Sequence, residues 1–238
     1  MVFVLKAALN GNRPPASHPA LPLTPSDLAT DAAVCVRAGV AAIHIHPRRD
    51  AGAETLDPEI VDETVKIVRA AARVPIGVST GAWIEVDPTR RADLVSRWLE
   101  PDMASVNFGE EGAELVVEAL FGAGIGVEAG VWSIDDAERL AAAHLTGRLV
   151  RVLVEVVHPT PNPVGEVMAI NGALDRLGID VPRLFHGEGE AAWPVVRFAF
   201  AQGFDTRIGL EDTLYLPDGT LAASNIALVE AAMGLTKR

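Results

Sequence analysis

The chain of 238 residues has one cysteine, one tyrosine and three lysines. A single thiol, Cys35, excludes an internal disulfide and reads as a buried, reduced side chain on an amphipathic helix. Lysine is confined to Lys6, Lys66 and Lys237. Lys66 falls in a helical pattern and Lys237 at the end. A Schiff-base aldolase or a carbamylated-lysine metal bridge therefore has only Lys6 to draw on. No apolar run reaches the roughly 18–20 residues that a bilayer span requires. Positive charge is scarce: 20 Lys and Arg face 32 Asp and Glu, a net charge of −12. That balance argues against nucleic acid or an anionic membrane as a partner. The opening "MVFVLKAALNGNRPP" lacks a basic segment ahead of its apolar stretch and lacks a small-residue cleavage site. It reads as a first strand entering a loop, not a signal peptide. Together these absences imply a soluble, cytoplasmic protein.

What is present is alternation. Short β-like apolar runs occupy residues 3–9, 41–46, 76–80, 103–108, 126–132, 151–157, 183–187 and 206–211. Segments of helical period lie between them, several with readable starts. Thr24-Pro25, Asp57-Pro58 and Asp87-Pro88 each place a capping residue before a proline at the first helical position. Ser133, followed by Asp135 and Asp136, gives a cap with first-turn acids. Eight strand–helix units spaced by about 30 residues predict a parallel sheet closed into a single (β/α)₈ barrel over residues 1–238. An open doubly wound sheet is the alternative, but its glycine fingerprint is missing. The spaced glycines of "GAGIGVEAG" (122–130) enter a strand rather than leave one, and read as a turn.

In such barrels the functional groups gather at the C-terminal ends of the strands. The stretch "AAIHIHPRRD" (41–50) ends the second strand. Alternation puts Ile43 and Ile45 on one face and both His44 and His46 on the other, facing the barrel mouth. An H-x-H pair can give two nitrogen ligands to one metal. The best third donor at another strand end is Glu211 in "TRIGLEDTLY", beside Asp212 and after the eighth strand, which flanks the first as the second does. Two histidines and one glutamate leave coordination positions open, as a catalytic zinc site does. Without a metal, the two imidazoles could instead be satisfied by backbone and carboxylates. Ser79-Thr80, Ser105, Asn107, Glu128, His186 and Glu188 lie at or near the other strand ends. Singly each reads as a cap or turn residue; together they mark the same rim.

Several segments carry a closer likeness: "AALNG" (7–11), "HPALPLTP" (18–25), "AGVAAIHIHPR" (38–48), "VSTGA" (78–82), "PDMASVNFG" (101–109), "RIGLEDTLYLPDG" (207–219) and "SNIALVE" (224–230). In this order the sequence resembles the β-keto acid cleavage enzymes, over nearly the whole chain. The resemblance implies a zinc or similar divalent ion held by His44, His46 and Glu211. It implies a reaction of a β-keto acid with acetyl-CoA that gives acetoacetate and a new acyl-CoA. Asp212, working with Arg207, is implied as the base that generates the acetyl-CoA carbanion. Attack on the keto carbon, transfer of CoA and a retro-Claisen cleavage follow. Arg207 would lower the pKa of Asp212 and orient it. Ser79, Ser105 and Asn107 match positions that contact the substrate. A homo-oligomer is expected.

The departures from the family are informative. The chain is shorter than the family's named example, and "VVHPTPNPVGEV" (156–167), after the sixth strand, differs from it, which leaves the CoA contacts unassigned. A strand-five glutamate of that example falls at Gly130, leaving Glu128 as a substrate-side candidate without a defined role. Arg13 stands where the example has a glutamate, in the loop after the first strand. An arginine there repels a cationic substrate and offers donors to an anion. The expected substrate therefore has an uncharged or carboxylate-bearing distal group. Alternatively, Arg13 points to solvent or meets CoA phosphates. The enzymatic rivals are a class II aldolase or a metal hydrolase; the non-enzymatic rival is a metabolite-binding barrel without activity.

Overall fold

The strands form where β-branched residues alternate with polar or small ones, and each is short. In the computed structural model, which describes residues 4–50 and 52–235, they are β1 (Leu5–Ala8), β2 (Ala42–Ile45), β3 (Ile76–Ser79), β4 (Met103–Asn107), β5 (Gly126–Val131), β6 (Arg151–Val156), β7 (Arg183–Gly187) and β8 (Asp205–Ile208). Each pairs in parallel with the next, and β8 pairs with β1, so the sheet closes. The eight-stranded barrel expected from the alternation is present. Phe3, where the first strand was expected to begin, and Lys237 lie outside the described residues.

Helices α1 (Pro25–Arg37), α2 (Pro58–Ala71), α3 (Pro88–Val95), α4 (Ala113–Gly122), α5 (Ile134–Ala142), α6 (Pro163–Arg176), α7 (Ala192–Gln202) and α8 (Asn225–Leu235) follow their strands. The starts legible in sequence hold. Thr24 and Asp27 form a reciprocal capping box, Asp57 and Asp87 accept from backbone N–H groups of the first turn, and Ser133 accepts from Asp136 N. The glycines at 122–126 end α4 and turn into β5, with Gly124 at positive φ. Among the described residues no helix is long and apolar enough to cross a membrane.

Period-two alternation sorts the side chains. Leu5, Ala7, Ile43, Ile45, Ile76, Val78, Val127 and Val154 belong to the apolar cluster between barrel and helices. Cys35, on α1, is buried in the same cluster. The alternate positions fill the barrel. Low in it, Lys6 is ion-paired to Glu128, both fully buried, and Arg151 reaches Glu128 at 3.2 Å and Asp205 at 2.8 Å. Burial lowers the pKa of Lys6 and Glu128 opposes that shift. The one lysine left to consider for covalent chemistry is thus committed to a buried ion pair.

Candidate active site

At the mouth, three donors from two strand ends converge. His44 Nε2 lies 3.1 Å from His46 Nε2, and Glu211 Oε1 lies 3.7 Å from the first and 3.5 Å from the second. Ligand bonds of about 2.0–2.1 Å at tetrahedral angles separate two donor atoms by about 3.3 Å. The triad therefore suits one small divalent ion. His44 Nδ1 and Glu211 Oε2 are buried without a hydrogen-bond partner, so part of this donor set is unsatisfied by protein alone.

The sequence builds this convergence locally. Asn10, in the loop just after β1, donates from Nδ2 to the His46 carbonyl and accepts from its N–H, both at 2.9 Å. It thereby clamps the residue that follows β2. The eighth strand stops at Ile208, short of the expected end at residue 211, where the backbone enters a turn in which Asp212 N and Thr213 N donate to the Gly209 carbonyl. Gly209 allows that turn: a Cβ on it would lie 1.8 Å from the Ala8 carbonyl oxygen. Asn225 then holds the turn, accepting from Leu210 N at 2.7 Å and donating to the Leu9 carbonyl at 2.8 Å. The "NG", "GLED" and "SN" fragments are thus one piece of backbone engineering around Glu211.

Electrostatics around the triad are dense. Arg207 donates from Nε to Asp212 at 3.0 Å and from Nη2 to Glu211 at 2.8 Å. Burial disfavours its charge, but Asp212, Glu211, Glu155 and Glu188 outweigh that and raise its pKa. Arg207 works downward on the pKa of Asp212, as expected, but burial outweighs it and the net shift is upward. His186 also works downward, and with Arg207 recovers only part of the burial shift. Glu211 is held well below the carboxylate range: burial works upward, while Arg207, His44 and His46 work downward and prevail.

A cavity of about 250 Å³ opens over the triad. Its wall includes Ser79, Ser105, Asn107, Glu188 and Arg207, whereas Thr80, Glu128 and His186 do not reach it. Asp212 does not reach the wall; it is fully buried, with Oδ1 against Arg207 and Oδ2 unpartnered. Glu128 is also absent from it, being spent on Lys6 and Arg151 deeper in the barrel. Arg13 donates from Nε to the Leu210 carbonyl and from Nη2 to the Glu211 carbonyl at 3.0 Å. It lines an adjoining cavity, with Glu188 and Val157 shared between the two.

Sequence reasoning missed Glu155, Glu54, Trp83 and Trp132. Glu155, inside β6, lines the cavity and stands 3.1 Å from His186 Nε2, whose Nδ1 is 3.6 Å from Asp212. Burial pushes its carboxyl up, but His186 beside it prevails and the pKa is lowered. Gly130 leaves room for it, since a Cβ there would lie 2.8 Å from Glu155 Oε1. The charged residue amid the apolar run "RVLVEVV" was the available signal.

The chain is similar to several known proteins. The 3-keto-5-aminohexanoate cleavage enzyme of Acetoanaerobium sticklandii is 27% identical over 267 residues, 99% of this chain and 92% of that one. The 3,5-dioxohexanoate:acetyl-CoA acetone transferase of Paraburkholderia graminis is 26% identical, over 96% of this chain and 87% of that one. Among solved structures, a ternary complex of ObcA with a C4-CoA adduct and oxalate superposes with a TM-score of 0.67 at 17% identity. That match covers 91% of this chain and 63% of the other, and it shows the shared fold alone. The description "beta-keto acid cleavage enzyme" matches residues 3–238, and the chain belongs to that family.

Proposed function

We propose that the chain exchanges acyl groups between a β-keto acid and acetyl-CoA through a zinc-class divalent ion held by His44, His46 and Glu211. In the net reaction the acyl carbon of the keto acid loses its –CH₂–COO⁻ group and gains the CoA sulfur. The –CH₂–COO⁻ group and the acetyl group leave together as acetoacetate. Acetyl-CoA as co-substrate is supported by the name of the Paraburkholderia relative. The observation that carries the metal reading is the mutual spacing of the three donors, 3.1 to 3.7 Å, with Glu211 Oε2 unpartnered.

When bound, such an ion supplies Lewis-acid stabilisation of oxyanion charge. The chain's own residues supply the rest. Ser79, Ser105 and Asn107 offer donors along one wall, where they can orient a carboxylate or a thioester oxygen. Arg207 is the one arginine or lysine among the described residues of the wall and faces the charge of the substrate's carboxylate. Trp83, Trp132, Leu153 and Val157 form apolar parts of the wall and limit water around a carbanion.

Asp212 is the base in this reading. Acetoacetate's new bond joins the keto acid's –CH₂– to the acetyl carbonyl carbon, so the proton Asp212 takes comes from that –CH₂–, not from acetyl-CoA as the resemblance implied. Arg207 fixes its Oδ1, and Oδ2 keeps a free lone pair in a buried setting that raises proton affinity. A second reading rests on one observation: Glu188 lines the cavity at its exposed rim, and desolvation by the surrounding wall pushes its carboxyl up to about 7. That value suits a general base at neutral pH. The deciding experiment supplies metal-replete protein with acetyl-CoA and a panel of β-keto acids and measures acetoacetate. Turnover without acetyl-CoA would overturn the exchange reading and favour a hydrolase or aldolase.

A further inference from the structure

One face of His46 is built by two residues from different loops. After β2 the chain makes a hairpin in which Arg48 and Glu54 pair as an antiparallel bridge. Arg48 anchors it, donating to the carbonyls of Gly11 at 2.8 Å, Arg13 at 2.7 Å and Gly52 at 2.9 Å. The hairpin returns Glu54 over the site, with Oε1 2.5 Å from His46 Nδ1. The other carboxylate oxygen, Oε2, accepts from Trp83 Nε1 at 3.0 Å. The indole also lies nearly parallel to the His46 ring, at 16° and 6.4 Å between centroids.

Trp83 is placed as firmly as Glu54. It sits in the turn after β3, closed by Ile84 N donating to the Gly81 carbonyl. Gly81 is the residue that turn requires, because a Cβ on it would lie 2.3 Å from the indole. Glu110 braces the same loop, accepting from Ala82 N at 2.9 Å and from Asn107 Nδ2 at 2.8 Å. Neither Glu54 nor Trp83 belongs to the triad, and Trp83 is 46% exposed at the cavity rim.

An imidazole that binds a metal through Nε2 must carry its proton on Nδ1, and an acceptor for that proton fixes both tautomer and ring angle. Resting on the metal reading above, we propose that Glu54 and Trp83 are a positioning pair. Glu54 takes the Nδ1 proton of His46 as a hydrogen bond and keeps Nε2 aimed at the triad centre, while Trp83 locks Glu54 from outside. The arrangement gives His46 the outer-shell carboxylate that His44, with an unpartnered Nδ1, lacks.

The test measures zinc affinity by chelator competition in wild type, Glu54→Ala, Glu54→Gln, Trp83→Phe and the Glu54→Ala/Trp83→Phe double variant. It also measures the side-chain nitrogen shifts of His46 by NMR in metal-free protein. Glu54→Ala is expected to weaken zinc binding about 10–100-fold. Glu54→Gln, which keeps one acceptor, is expected to fall between it and wild type. Trp83→Phe is expected to cost several-fold alone and nothing further beside Glu54→Ala, because it acts through Glu54. The NMR shifts are expected to show a hydrogen-bonded proton on Nδ1 in wild type and to lose that signature in Glu54→Ala. Wild-type affinity and a wild-type tautomer in Glu54→Ala would overturn the pair. If wild type holds no zinc, the metal reading falls, and the metal-free NMR spectra still decide whether Glu54 sets the His46 ring.

Discussion

Gly11 and Glu211 approach as only a glycine permits: a Cβ on Gly11 would lie 2.5 Å from Glu211 Cγ, at a φ of +56°. Gly11→Ala must displace the carboxylate or strain the loop after β1. It is expected to weaken zinc binding at least tenfold while the barrel remains folded. Zinc titration and circular dichroism on the same sample check this. Unchanged affinity would remove Glu211 from the ligand set.

Metal removal gives a direct measurement. Dialysis against a strong chelator is expected to abolish acetoacetate formation, with recovery on zinc addition. A crystal of metal-replete protein is expected to show one ion bonded to His44 Nε2, His46 Nε2 and Glu211 at about 2.0–2.2 Å. An ion bound elsewhere would sink the assignment.

The base is assigned by two substitutions. Asp212→Asn is expected to keep the metal and lower kcat by about 10²–10⁴-fold. Glu188→Gln is expected to lower it far less. The opposite order would move the base to the cavity rim, where Glu188 stands.

Substrate choice tests Arg13. Two of its donors hold the carbonyls of Leu210 and Glu211, and the residue lines the cavity that adjoins the site. A β-keto diacid or a neutral β-keto acid is expected to turn over faster than an amino-bearing one in wild type. Arg13→Glu is expected to narrow that gap. A change only in the KM for acetyl-CoA would place Arg13 against the cofactor.

Cys35 makes stability depend on alkaline pH. In an unfolded chain a thiol ionises near pH 8.5, whereas burial and the nearby Asp31 raise the folded value of Cys35. The neutral thiol is the form the fold favours. Its contribution is whole below about pH 8.5 and falls as pH rises, by about 1.4 kcal/mol per pH unit. Denaturant unfolding of wild type and Cys35→Ala at pH 8 and pH 10 is expected to show their difference shrinking. A constant difference would contradict the burial argument.

Much of the architecture is legible in the chain itself. Period-two runs and proline-marked helix starts are local, backbone-level signals, and eight repeats of them leave few topologies. His44 and His46 were readable because alternation along one strand fixes which side chains share a face. Serine and asparagine at strand ends were readable for the same reason. Strand ends were less so: β8 stops early because Gly209 meets Ala8, a contact between residues about 200 positions apart.

What the sequence determined by itself is therefore the barrel, the end of it where polar side chains gather, and the three candidate ligands His44, His46 and Glu211. The tertiary structure decided the rest, because burial and charge add over every neighbour. Asp212 has a raised pKa beside an arginine, since desolvation outweighs that one favourable charge. Glu128, placed like a rim residue by its strand, is spent on Lys6 across the barrel. Glu54 and Trp83, 29 residues apart in two loops, meet at His46 because a hairpin and a glycine turn aim them there. No periodicity encodes such a meeting, because loops carry no repeat and their direction is set by what they touch.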